Sequence, residues 1–252
     1  MKRIIARLSV GEDGALVDEL GLPALERPGD PLEAARALAA AGVDGISFSG
    51  HGAPLEVLSA LSRRVTPLLT VPLHVEVNAR TAAQVASLLE AGTALVVIEA
   101  AALRDPDFLA SLAREFGSES IAVTVSAASE DEGWRVLESA GGPPTEWDAV
   151  TWACVVESQG AGAIVVQSAM RRARDARGSP FDLELISAVG SAVDLPTVAA
   201  GEAQIVEDLF DVMMVGDADG VLEGSLFQSG RATVRQAKSY LREHGLAVGG
   251  SE

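Results

Sequence analysis

One cysteine, three histidines and no apolar run of membrane-spanning length mark this 252-residue chain by what it lacks. Cys154 alone cannot form an internal disulfide, and a lone thiol fits a reducing compartment, so a cytoplasmic setting is expected. No stretch approaches the roughly 18–20 consecutive apolar residues that a membrane span needs. The opening residues, Met1-Lys2-Arg3-Ile4-Ile5-Ala6-Arg7, lack the long apolar segment and cleavage site of a secretory signal. Basic residues are few: 19 Lys and Arg stand against 36 Asp and Glu, a net charge of −17. Nucleic-acid phosphates and anionic membranes are bound by Lys and Arg, so neither is an expected partner. The acidity otherwise reads as a solubility feature. The chain also has no low-complexity linker, no nucleotide-binding fingerprint, no Ser/His/Asp order and no dense metal-ligand motif. No cofactor and no metal are expected.

What is present is a large hydrophobic fraction, 48%, on a chain of 252 residues. That length is close to the roughly 250 residues of a (βα)8 barrel. Short β-rich runs alternate with Ala/Leu/Glu-rich amphipathic runs. The strands are expected at Ile4–Val10, Asp44–Gly50, Val71–Val77, Ala94–Ala100, Ile121–Ala127, Ala163–Ser168, Leu195–Gly201 and Gly220–Ser225. The helices are expected at Pro31–Ala41, Pro54–Arg64, Thr81–Ala91, Asp105–Phe116, Glu146–Gln159, Asp182–Val193, Ala203–Val215 and Arg231–His244. Eight strand–helix pairs imply a parallel sheet closed on itself. The predicted fold is therefore α/β, a single (βα)8 TIM barrel forming one domain over residues 1–252. Asp30-Pro31 reads as an N-cap with proline at the first helical position, and Gly42 as the stop of the same helix. The mostly polar stretch Ala128–Thr145 reads as a long loop after the fifth strand.

Several stretches carry a resemblance. They are Lys2-Arg3-Ile4-Ile5, Gly29-Asp30-Pro31, Ala41-Gly42-Val43-Asp44, Phe116-Gly117-Ser118 and Asp148-Ala149-Val150-Thr151-Trp152. Further on come Gly160-Ala161-Gly162-Ala163-Ile164, Phe181-Asp182-Leu183-Glu184-Leu185-Ile186 and Tyr240-Leu241-Arg242-Glu243-His244-Gly245. In this order they resemble the cyclase subunit of imidazole-glycerol-phosphate synthase and, beyond it, the related histidine-biosynthesis isomerase. The resemblance covers essentially the whole chain. It implies a phosphate-binding barrel with its site at the C-terminal ends of the strands.

The positions that carry chemistry depart from that family. The resemblance implies two catalytic aspartates, at the ends of the first and fifth strands. Ser9 and Ser126 stand there, and a serine hydroxyl does not titrate near neutral pH. A lysine implied in the loop after the first strand aligns near Asp18. Glu76-Val77-Asn78 replaces the glycines that would cradle a phosphate after the third strand, and Glu99-Ala100 replaces an asparagine–threonine pair after the fourth. The other half of the two-phosphate site is partly kept, in Gly201 and in Gly224-Ser225, although Glu202 stands where a second glycine is implied. The loop Met170-Arg171-Arg172-Ala173-Arg174-Asp175-Ala176-Arg177-Gly178 carries four arginines that suit a phosphate or carboxylate, or simply solvent. The family subunit docks a glutaminase on its N-terminal face and passes ammonia through a charged gate. Arg3 matches one gate residue, but Gly45, Leu95 and Ala163 occupy the other three positions, which puts the ammonia route and the glutaminase partner in doubt.

Side chains alternate along a strand, so fixing Ser9 and Ser126 as inward sets the phase of the interior. The inward set becomes Arg3, Arg7, Ser9, Ser47, Ser49, His74, Glu76, Asn78, Leu95, Val97, Glu99, Thr124, Ser126, Val165, Gln167, Ala200 and Glu202. Glu223 falls out of phase with Gly224 and is a weaker candidate. A buried Arg7 needs an anion, and Glu76 or Glu99 is the expected neighbour. Two readings stay open. One is a structural ionic network beneath a dead site. The other is a rebuilt pocket in which Glu76 or Glu99 acts as base, with His74 assisting and Arg7 orienting a small anionic metabolite, phosphorylated or not. The catalytic candidates are Glu99, Glu76, His74, Arg7, Ser9 and Ser126. The binding candidates are Gly201, Gly224, Ser225, Arg171, Arg172, Gln167 and Asn78. His51 is a loop histidine on the same face, able to join Glu76, Glu99 and Glu202 around a cation only without any local ligand motif. The expected function is a lyase, cyclase or isomerase that has lost the ancestral cyclase chemistry. The alternatives are a non-catalytic paralogue that binds a ligand or stabilises a subunit, and a barrel with weak residual synthase activity.

Overall fold

The computed structural model describes residues 1–17, 29–50, 52–99, 101–169 and 179–249, the side chains at 101 and 103 excepted. In chain order the elements are β1 (Arg3–Val10), α1 (Pro31–Ala41), β2 (Gly45–Gly50), α2 (Leu55–Val65), β3 (Leu73–Val77), α3 (Ala82–Glu90) and β4 (Leu95–Ile98). Then follow α4 (Ala101–Arg104), α5 (Pro106–Phe116), β5 (Ile121–Ser129), β6 (Trp134–Leu137), β7 (Pro144–Asp148), α6 (Ala149–Ser158) and β8 (Ala163–Ser168). The last are α7 (Leu183–Ala192), β9 (Thr197–Gly201), α8 (Val206–Met214), β10 (Gly220–Glu223), α9 (Ser225–Gln228) and α10 (Val234–Glu243). Eight parallel strands pair in the order β4-β3-β2-β1-β10-β9-β8-β5, and pairing of β4 with β5 closes the ring. The fold is a single (βα)8 TIM barrel. None of the described helices is long and apolar enough to cross a membrane.

Strand alternation divides the core in two. Ile4, Ala6, Leu8 and Val10 point outward and pack beneath the helices, in one large apolar cluster. Ile5, Val97, Ala122, Val165, Ala200 and Leu222 form a second, small cluster inside the barrel. Inside the ring these apolar side chains share register with polar ones: Val97 lies beside Glu76, Val165 beside Thr124 and Ala200 beside Gln167. Val248 bridges Lys2, and the buried Lys238 ammonium donates to Asp44 Oδ1 at 2.7 Å and to the Gly249 carbonyl at 2.7 Å.

Helix starts follow the local chemistry. Asp30 caps α1 by accepting the Leu32 N–H at 2.9 Å, and Gly42 ends that helix at φ 95°. Thr81 and Gln84 form a reciprocal capping box on α3. Asp148 accepts the Thr151 N–H at 2.9 Å at the start of α6. Asp148→Ala is expected to cost about 1 kcal/mol. A urea-unfolding midpoint indistinguishable from the parent would contradict that cap.

The stretch expected as a loop, Ala128–Thr145, is ordered differently. β5 runs on to Ser129 and turns back through β6 and β7 as an antiparallel meander outside the ring. Trp134 explains why the meander holds: its indole N–H donates to Asp182 Oδ2 at 2.9 Å, tying β6 to the start of α7. Thr145 Oγ1 donates to the Val136 carbonyl at 2.9 Å, and Arg135 Nη1 donates to the Glu146 carbonyl at 2.9 Å. The helix expected from Glu146 therefore begins at Ala149, because residues 144–148 belong to β7. Ser225, expected at the end of the last strand, opens α9 instead.

Candidate functional site

The C-terminal ends of the ring strands carry the polar layer, and register fixes who sits beside whom. Arg7 pairs with Ser47 and Ser9 with Ser49 across β1 and β2. Ser49 is beside Glu76, and Ser126 is beside Gln167. Neighbouring parallel strands lie about 4.8 Å apart, so these are adjacent side chains on one surface.

The floor of this layer is an ion pair. Arg7 is 7% exposed and Glu76 1%. Arg7 Nε donates to Glu76 Oε1 at 3.0 Å, and Arg7 Nη2 donates to Glu76 Oε2. Ser47 Oγ donates to Glu76 Oε1 at 2.8 Å. Gln228 Nε2 holds the Arg7 carbonyl at 2.7 Å, anchoring the same strand from α9. Of the two anions expected beside Arg7, Glu76 is thus the bidentate partner. A planar guanidinium matched to a carboxylate in two contacts fixes both side chains.

His74 lies two residues before Glu76 on β3, nearer the N-terminal end of the barrel. Burial lowers its pKa to about 4; the Glu76 charge opposes this and the Arg3 charge adds to it. His74 is therefore neutral near pH 7 and sits below the mouth rather than at it.

Above the ion pair the layer is made of hydroxyls. Ser9, Ser49, Thr124 and Ser126 are all buried. Thr124 Oγ1 is fully enclosed and has no hydrogen-bond partner among the described residues. Glu99 follows β4 and Glu202 follows β9, both half-buried and both in the inward phase. Asn78 is exposed just past β3, and Gln167 is buried on β8. Arg171, Arg172 and His51 lie outside the described residues, as does Asp18. Among the described residues no cluster of three or more His, Cys, Asp or Glu is arranged to hold a metal ion.

The glycines after β9 and β10 are occupied from within. A Cβ on Gly201 would collide with the edge of the Phe181 ring, and one on Gly224 would approach the Arg7 carbonyl at 3.0 Å. Glu223, fully buried, reaches between the two loops. Its Oε2 accepts the Ala203 N–H at 2.6 Å; its Oε1 accepts the Leu226 N–H at 2.9 Å and the Ser225 hydroxyl at 3.0 Å. Burial pushes Glu223 up to about 7, opposed by those hydrogen bonds. Asp208, also buried, accepts the Gln204 N–H at 2.7 Å and the Ile205 N–H at 3.1 Å. Strand alternation makes Glu223 only a weaker candidate, being out of phase with Gly224, and gives no sign of Asp208. The available signal was a carboxylate inside the apolar run Gly220-Val221-Leu222-Glu223, which demands buried donors.

Comparison with known proteins agrees with the fold and with the order of these motifs. The model of the family described as "Histidine biosynthesis protein" matches residues 20–233. Imidazole glycerol phosphate synthase subunit HisF of Dehalococcoides mccartyi strain CBDB1 is 34% identical over 250 residues, covering 98% of this chain and 97% of the relative. The same subunit of Anoxybacillus flavithermus strain DSM 21510 / WK1 is 34% identical over 252 residues, covering 98% of each chain. A family match over most of the chain, joined to end-to-end identity at this level, leads to one conclusion: this chain belongs to the histidine biosynthesis protein family.

Proposed function

We propose that this barrel no longer performs the synthase cyclisation for which its relatives are named, and that its mouth binds a small polar metabolite. The observation that carries the reading is the pair Ser9 and Ser126. Both are buried at the strand ends where the family resemblance implies catalytic aspartates. A hydroxyl in place of a carboxylate removes a proton acceptor near neutral pH. The Arg7–Glu76 pair does not replace it. Glu76 already accepts three hydrogen bonds from Arg7 and Ser47, and Arg7 directs Nε and Nη2 at Glu76. Of the base candidates at the mouth itself, Glu99 is the one whose strand position suits proton transfer to a bound ligand. The hydroxyls of Ser9, Ser49 and Ser126 form the adjoining binding surface.

The test is turnover of the phosphorylated ribotide used by this family of cyclases, with ammonia supplied directly. Wild-type protein is expected to form no imidazole glycerol phosphate above background; measurable turnover would sink the proposal. A non-catalytic binding role is the second reading, favoured by the satisfied Arg7–Glu76–Ser47 floor. Glu99→Gln separates the two once a ligand is in hand. Loss of turnover with binding retained makes Glu99 a base. Turnover unchanged in Glu99→Gln removes Glu99 as the base, and a ligand bound without turnover by wild type and variant alike leaves a binding protein.

A further inference from the structure

The strongest unassigned feature of the molecule is the carboxylate between β9 and β10. Two backbone N–H groups and a hydroxyl, at Ala203 in the loop after β9 and at Leu226 and Ser225 in α9, converge on Glu223. The next two N–H groups of the β9 loop, at Gln204 and Ile205, go to Asp208. Converging backbone N–H groups form a concavity that binds anions. Here the anion is supplied by the chain, 20 residues from one donor and three from another.

We propose that Glu223 is the resident anion of this cradle, a specificity-determining side chain that closes the β9–β10 end of the site to phosphate-bearing ligands. The argument is one of competition. A tethered carboxylate meets its donors intramolecularly, at an effective concentration a free ligand must exceed. A phosphate arriving there would also face a like charge in a buried, low-dielectric setting, where repulsion is strong. Volume adds to charge: Phe181 fills the space beside Gly201, and the Arg7 carbonyl and the Gln228 amide crowd Gly224. The inference goes beyond the reading of the mouth and stands whether or not the mouth is catalytic.

The test is a titration of the full-length, 15N-labelled protein with inorganic phosphate at constant ionic strength, well above the value near 7 at which Glu223 ionises. The amide resonances of Ala203 and Leu226 are followed in wild type and in Glu223→Ala. In wild type neither resonance is expected to move saturably over a millimolar range. In the variant both are expected to shift saturably, with phosphate bound about tenfold or more tighter than by wild type, as charge-assisted hydrogen bonds are restored. Saturable shifts in wild type overturn the proposal, and so does a folded Glu223→Ala protein that binds phosphate no better than its parent. If Glu223→Ala does not fold, the wild-type titration decides alone: unmoved resonances uphold the closed cradle and moving ones refute it.

Discussion

Glu76→Ala is expected to cost about 3–5 kcal/mol of folding stability, a large share of what an ordinary domain has. The substitution strips the carboxylate from Arg7, a residue 7% exposed that donates through both Nε and Nη2 to Glu76. It also leaves the Ser47 hydroxyl, which is fully buried, without its acceptor. The size of the loss reflects a stranded charge rather than the net worth of the pair. The double variant Arg7→Met/Glu76→Leu is therefore expected to be more stable than either single variant, since an apolar pair of similar volume often replaces a buried ion pair at little cost. Urea unfolding of wild type, Arg7→Met, Glu76→Leu and the double variant gives the coupling between the two sites. A cost below about 1 kcal/mol for Glu76→Ala would mean that solvent screens the pair as it does at a surface. The floor of the mouth would then be wet, and Glu76 would return as a base candidate.

The same pair shows what the sequence makes legible. Arg7 and Glu76 are 69 positions apart. They could be matched because period-two alternation places both inside a closed ring and because a buried guanidinium requires an anion. The barrel itself follows from eight alternating strand and helix patterns, each expected strand overlapping a ring strand with ends displaced by at most two residues. Two features escaped, for different physical reasons. The meander of β6 and β7 is short, and the segment that carries it is rich in Glu and Gly. It is held by Trp134 reaching Asp182, 48 residues away, which no local propensity encodes. Glu223 escaped because alternation marks it as facing the helices, where an apolar residue is expected. Its role depends on the Ala203 N–H delivered by another loop. Alternation tells which way a side chain points, but not which main-chain donors a distant loop will bring to it. The glycines at 201 and 224 illustrate the same limit. Their small size is legible, but its use by Phe181 and by the Arg7 backbone appears only when the loops are assembled.

The partly buried His74 and the buried Glu223 titrate in opposite senses, and this makes the pH dependence of stability a sharp probe of the interior. His74 has its pKa lowered from 6.5 to about 4 on folding. As pH falls through 6.5 the unfolded chain takes up a proton that the folded chain refuses, so this contribution is lost between about 6.5 and 4. Glu223 has its pKa raised from 4.5 to about 7. As pH rises through 4.5 the unfolded chain ionises while the folded chain holds its proton, so that contribution is lost between about 4.5 and 7. Each window corresponds to about 3 kcal/mol, and where they overlap the two slopes oppose one another. Removing one group unmasks the other. His74→Gln is expected to lose stability relative to wild type as pH rises from about 5 to 6.5, at about 1.4 kcal/mol per pH unit. Glu223→Gln is expected to gain stability relative to wild type over the same range, at about the same rate. Urea unfolding at several pH values, read as variant minus wild type, cancels the carboxylates common to both proteins. Parallel curves for wild type and both variants would show that neither group is shielded from water. Glu223 would then be an exposed rim carboxylate, no longer the closed end of the site.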